Sequence, residues 1–254
     1  MIVIIGCSWG CGEWATGFPS KILHKGLEQY LKDSGRQVVN LSTAGFGNFQ
    51  AYYTLKQFLQ SGVLQHLPTI EHVLCFQTDW TRDYQFRTFL PSNSDIKQVH
   101  WYCPNNINQV KDIYDLRSKT ISAWQYRLSD LAKEYGFKVG LIGGASDTIW
   151  LDRFSDEYTD LEIICQSMTN LCINDNHRIV DPVLQINLDL FHEMKNLLDL
   201  NDLDKLVDLI QNSLDRLNTW RNHKAYFYPD GNHANRVAHK KLFDFILDSG
   251  FLTA

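Results

Sequence analysis

The stretch that most limits the fold is the first. Ile2-Val3-Ile4-Ile5 is an unbroken apolar, β-branched run, followed at once by Gly6-Cys7-Ser8-Trp9-Gly10-Cys11-Gly12. A run of this kind reads as a strand buried on both faces, which is how strands of parallel sheets are written. Three glycines in the next seven residues read as a tight turn, where backbone bends sharply or approaches another segment closely. Together they set one small hydroxyl side chain, Ser8, at the carboxyl end of a sheet. In open α/β sheets that is where ligands bind. Ser8 is therefore the candidate nucleophile, and the rest of the chain is read for groups that serve it.

A chain of 254 residues is expected to form a single domain, 1–254, with core enough to stand alone. The net charge is -5 with signs interspersed, so no basic surface for nucleic acid is implied. No apolar run approaches the roughly 20 residues of a membrane helix. Nothing basic precedes the first strand, so no secretory signal is expected and the cytoplasm is the expected compartment. Six cysteines are scattered without a Cys-x-x-Cys pair or zinc-like spacing, which predicts free buried thiols and no metal. The sequon Asn40-Leu41-Ser42 carries no meaning without secretion.

Along the chain, Ser20 to Ser34 has helical spacing, with Ile22, Leu23, Leu27, Tyr30 and Leu31 on one face and Gly35 ending it. Gln37 to Leu41 reads as a second strand opening into Ser42-Thr43-Ala44-Gly45-Phe46-Gly47-Asn48. A helix is expected from Asn48 to Gly62, and a third strand from Glu71 to Gln77 that opens into Thr78-Asp79-Trp80. Residues 84–110 read as an irregular polar insertion, a frequent site of functional covers. A long helix from about Val110 to Tyr135 and a strand from Lys138 to Gly144 follow. Arg178 to Asp181 offers a short fifth strand, and 185–219 reads as an inserted helical hairpin. Asp230-Gly231-Asn232-His233 leads into a last helix with Val237, Leu242, Phe243, Ile246 and Leu247 as its apolar positions. Strands alternating with helices predict an α/β sandwich on a parallel sheet of about five strands. All strand-end turns then share one edge, which gathers Ser8, Gly45 and the Gln77–Asp79 turn.

A serine hydroxyl needs a base within hydrogen-bond reach, a group that orients the base, and donors for the oxyanion. Asp230 and His233 are the compact acid–base pair available. At this point the chain resembles the SGNH (GDSL-like) hydrolases. Gly6-Cys7-Ser8-Trp9-Gly10 is similar to the family's first block, Asn40-Leu41-Ser42-Thr43-Ala44-Gly45 to its second, and Asp230-x-x-His233 to its last. The resemblance implies a flavodoxin-like three-layer sandwich and a Ser8/His233/Asp230 triad. It also implies oxyanion donors at the Ser8 and Gly45 backbone, and an ester or acylated-carbohydrate substrate without cofactor. The first block and Phe76-Gln77-Thr78-Asp79-Trp80 also resemble small SGNH-type proteins of tailed phages, which adds a virion as a location.

Two departures stand out. Cys7 replaces the aspartate that usually precedes the serine, a position outside the triad. Asp79 stands where the family has its oxyanion-donating asparagine, and an ionised carboxylate has no proton to give. Either Asp79 is protonated, or Gln77, Thr78 or Asn48 donates, or the site is weak. The alternative function is then an inactive protein of the same fold with a binding role in a homo-oligomer or larger assembly. Trp9, Glu13, Phe46, Asn48 and Arg82 are the expected substrate contacts. The plain alternatives are that Ser8 is only turn chemistry, that Asp230 caps the last helix, and that His233 is a surface residue of its first turn.

Overall fold

A computed structural model describes residues 1–16, 18–78, 107–144, 160–175, 223–227 and 233–253. Strand β1 (Ile2–Gly6) is its centre. β1 pairs in parallel with β4 (Val38–Asn40) on one side and β5 (His72–Gln77) on the other. β6 (Lys138–Gly143) and β7 (Leu161–Cys165) extend the sheet, also in parallel, to the order β4-β1-β5-β6-β7. Counting only these five, the order is 2-1-3-4-5, the flavodoxin-like arrangement.

Alternate β1 residues face opposite layers. Ile2 and Ile4 join Leu27 and Leu31 of α2 (Leu27–Asp33) and Leu242 and Ile246 of α7 (Arg236–Asp248). Val3 and Ile5 join Leu55 of α3 (Asn48–Gln60) and Trp124 and Leu128 of α4 (Ile107–Tyr135). The continuous apolar run is thus explained by cover on both faces, each fully buried aliphatic side chain contributing about 2 kcal/mol of transfer free energy. Two shorter helices, α5 (Met168–Asn174) and α6 (Lys224–Phe227), pack beside α7, and α1 (Ser8–Cys11) is a single turn at the end of β1.

The sequence reading and the fold agree on β1, β4, β5, β6, α3, α4 and α7 within a few residues. They part at residues 13–26. There the chain forms an antiparallel hairpin, β2 (Glu13–Ala15) with β3 (Phe18–His24), whose second strand takes residues 20–24, the expected start of a helix. Ile22 and Leu23 are 42% and 43% exposed rather than buried. Gly26 is the physical reason. Its φ of +57° has no place inside a helix, and a Cβ there would lie 2.8 Å from the His239 ring. The helix can start only after it, at Leu27.

The fifth sheet strand is Leu161–Cys165, in a stretch whose periodicity assigned nothing. The expected strand at 178–181 and the expected hairpin at 185–219 lie outside the described residues, as does 84–106. In α7, Val237 points to solvent at 52% exposure. Ala238 and His239 take the inward positions of that first turn.

Candidate active site

β1 ends at Gly6, whose φ of +139° and closeness to Phe76 exclude a side chain: a Cβ would lie 2.6 Å from the Phe76 carbonyl oxygen. The chain turns there, and Cys7 leads into α1 with Ser8 as its first residue. Ser8 is 6% exposed. Its Oγ lies 2.8 Å from Nε2 of His233, a residue 225 positions away.

His233 is half-buried. It sits between two indoles, with ring centroids 5.7 Å from Trp14 and 6.5 Å from Trp9. Trp9 rests in turn on Phe227, at 6.0 Å. His233 is thus held by packing as well as by Ser8. Its chain segment is fixed at Asn235. Asn235 Oδ1 accepts from the Val237 and Ala238 N–H groups, its Nδ2 donates to the Ala225 carbonyl, and its own N–H donates to the Tyr226 carbonyl. Asn235 is therefore the N-cap of α7, the role offered above to Asp230. His233 precedes the helix and is not a residue of its first turn.

The turn that carries Ser8 is braced by two side chains. Trp14 Nε1 donates to the Ser8 carbonyl at 2.9 Å. Asn40 Nδ2 donates to the Gly10 carbonyl at 2.9 Å and to Glu28 Oε2 at 3.2 Å, while Asn40 Oδ1 accepts from the Ser42 N–H. One amide thus ties α1 to the turn that carries Gly45. That turn is also anchored by the Thr43 N–H, which donates to the Gly6 carbonyl. Burial works against the Glu28 charge, yet hydrogen bonds from Lys32 and Asn40 outweigh it and hold the carboxyl below its ordinary range.

The other expected site residues fall as follows. Gly45 is exposed, with φ +82° and open space where a Cβ would be, and Phe46 beside it is half-buried. Asn48 is buried and pairs on both sides with the Thr78 peptide, accepting from its N–H at 2.9 Å and donating to its carbonyl at 3.0 Å. Gln77 ends β5 and Thr78 follows it. The Gln77 Oε1 and Thr78 Oγ1 atoms are buried without a hydrogen-bond partner among the described residues. Glu13 is buried, and its carboxylate is taken by Arg236. Asp79, Arg82 and Asp230 lie outside the described residues.

The bracing roles of Trp14 and Asn40 were not visible in the sequence. Trp14 is adjacent to the first block, but nothing in a one-dimensional pattern says that its indole reaches back to the Ser8 carbonyl. The five described cysteines are all free and buried, and burial drives the Cys11 and Cys172 thiols up to about 12. No group of three or more His, Cys, Asp or Glu among the described residues could hold a metal ion. No described helix is long and apolar enough to cross a membrane.

No protein-family model matches the chain, and no curated protein matches it by sequence. Among solved structures, it is similar to a lipase/acylhydrolase from Enterococcus faecalis at 12% identity and a TM-score of 0.37, over 99% of this chain and 95% of that one. An acetyl xylan esterase, AlAXEase, matches at 13% identity and a TM-score of 0.38, over 98% of both chains. LAE5, an α/β hydrolase from the metagenome of Lake Arreo, Spain, matches at 14% and 0.39, over 100% of this chain and 96% of that one. These likenesses are too distant to assign a residue or an activity.

Proposed function

We propose that this chain is an SGNH-type serine hydrolase acting on carboxylic esters, among them acylated carbohydrates. The observation that carries the reading is the 2.8 Å contact between Ser8 Oγ and His233 Nε2 at the carboxyl edge of a parallel sheet.

In this reading the Ser8 hydroxyl donates to Nε2. His233 takes the proton as Oγ attacks the ester carbonyl. Asp230 holds the other ring nitrogen and favours the imidazolium that forms. The tetrahedral oxyanion receives the backbone N–H groups of Ser8 and Gly45; as a first-turn amide of α1, the Ser8 N–H has no helical partner of its own. Collapse expels the alcohol, which leaves with the proton from His233, and an acyl ester remains on Ser8. Water activated by His233 then releases the acid. Every step is proton transfer and acyl transfer, so neither metal nor cofactor takes part. Phe46 and Arg82 are proposed as substrate contacts; Trp9, 2% exposed and packed on Phe227, belongs to the core instead. Asn48 is the weakest of the substitute oxyanion donors, because its amide is already engaged with Thr78.

The test is labelling by a fluorophosphonate probe. The native chain is expected to react, and Ser8→Ala to lose the label entirely. His233→Ala should slow labelling by about 10³-fold or more. Absence of label in the native chain, or equal label in Ser8→Ala, overturns the proposal.

A further inference from the structure

The base must be delivered to Ser8 from the far end of the chain, and the structure contains a strut that does this. Glu13 is buried, its side chain 8% exposed, while that of its partner Arg236 is 51% exposed. Arg236 Nε donates to Glu13 Oε2 at 2.6 Å. A buried carboxylate is costly unless paired, so Glu13 holds this partner strongly. Arg236 is the first residue of α7 and lies three residues past His233. Its backbone carbonyl accepts from the Tyr30 hydroxyl at 3.1 Å, which fixes the same point from α2.

The next residue of β2 completes the arrangement. Trp14 holds the Ser8 carbonyl and packs its ring against His233. Two consecutive residues therefore reach the nucleophile's backbone, the base's ring and the base's chain segment. β2 itself is set by Gly12, whose φ of +116° and contact with the His24 carbonyl leave no room for a side chain.

We infer that Glu13 is a positioning residue which, through Arg236, fixes the segment carrying His233 so that its Nε2 meets Ser8 Oγ. This rests on the hydrolase reading, and it replaces the substrate-contact role that the sequence suggested for Glu13. In that role the carboxylate would face the ligand; here it is spent on the guanidinium. A misplaced base lowers the rate of the chemical step and leaves substrate binding alone.

The experiment compares the native full chain with Glu13→Ala, Glu13→Gln, Arg236→Ala and the double alanine variant, with His233→Gln and Ser8→Ala as references for the spectra. Hydrolysis of p-nitrophenyl acetate gives kcat and KM, and imidazole 15N spectra follow His233, identified by its absence in His233→Gln. Glu13→Ala and Arg236→Ala are each expected to lower kcat by about 10-fold or more with KM within about twofold. The double variant should be no worse than the poorer single one, since both remove one interaction. Glu13→Gln, which still accepts from Nε, should recover part of the loss and serves if Glu13→Ala does not fold.

Unchanged kcat, additive losses, or a rise in KM alone overturns the inference, the last by returning Glu13 to the substrate. If the native chain neither hydrolyses nor labels, the hydrolase reading fails and the spectra decide the positioning. A His233 signal displaced in Arg236→Ala as it is in Ser8→Ala supports it. A His233 signal unchanged from native overturns it.

Discussion

At the scale of single residues, the site depends on carbonyls that have been given donors. The Ser8 carbonyl takes the Trp14 indole and the Gly10 carbonyl takes Asn40. Both are removed from water, so losing the donor costs the desolvation of an unmet acceptor, about 1–3 kcal/mol. Trp14→Phe keeps an aromatic ring beside His233 but removes the N–H together with part of the buried indole. It should lower stability by at least that amount in urea unfolding, the lost packing adding to the unmet acceptor, with unfolding still cooperative. Asn40→Asp should be at least as damaging: it cannot donate to Gly10 and sets a carboxylate against Glu28, 3.2 Å from the present amide. A urea midpoint for Asn40→Asp at or above native would contradict this account of the brace.

Among elements, α7 joins the site to the core, and its inward face carries an unusual group. His239 is fully buried between the sheet and the β3–α2 turn, with its ring 6.2 Å from Phe76. Burial, together with the nearby His24 and His233, pushes it down to about 3, while the Gly12 backbone works in the opposite direction. Between about 3 and the ordinary histidine value, the unfolded chain binds a proton that the folded chain refuses. Stability must therefore fall as pH drops through that window, by up to about 1 kcal/mol per pH unit. His72, also lowered by burial, acts in the same direction. Urea midpoints measured from pH 7 to pH 4 should show this acid limb, and His239→Leu should flatten it. An equally steep limb in His239→Leu would rule His239 out as its source.

The same helix marks how much of the fold is legible. Its apolar period placed Leu242, Phe243 and Ile246 inward, because a 3.6-residue period is a local property. The hairpin at residues 13–24 was not legible. Ile22 and Leu23 look like helix anchors in one dimension, and only the positive φ of Gly26, in a turn packed against His239 of the last helix, forbids it. β7 was hidden for the related reason that Leu161-Glu162-Ile163-Ile164-Cys165 neither alternates nor runs unbroken. Topology made the gathering of Ser8 and Gly45 legible, since parallel strands put their ends on one edge. The pairing of Ser8 with His233 was legible only through the resemblance of the first and last blocks, because His233 precedes a helix and ends no described strand. The brace from Trp14 was not, since it depends on a side-chain path that no spacing encodes.

For the whole molecule, both faces of the sheet are closed by apolar layers, and the cysteines lie inside them. Cys7, Cys11, Cys75, Cys165 and Cys172 are buried and free. Burial raises the thiols of Cys11, Cys75, Cys165 and Cys172, which keeps them protonated and slow to react. In a Cys103→Ser background, a disulfide reagent should find no fast thiol in the native state and five after denaturation. A fast-reacting thiol before unfolding would mean that one of these layers opens readily. The long span between the two site residues also has a consequence for biosynthesis. Ser8 leaves the ribosome 225 residues before His233, an interval of roughly 10–45 s at ordinary rates of synthesis. Throughout it the nascent chain carries the hydroxyl without its imidazole, so under the proposed mechanism the serine stays unactivated until the last helix docks.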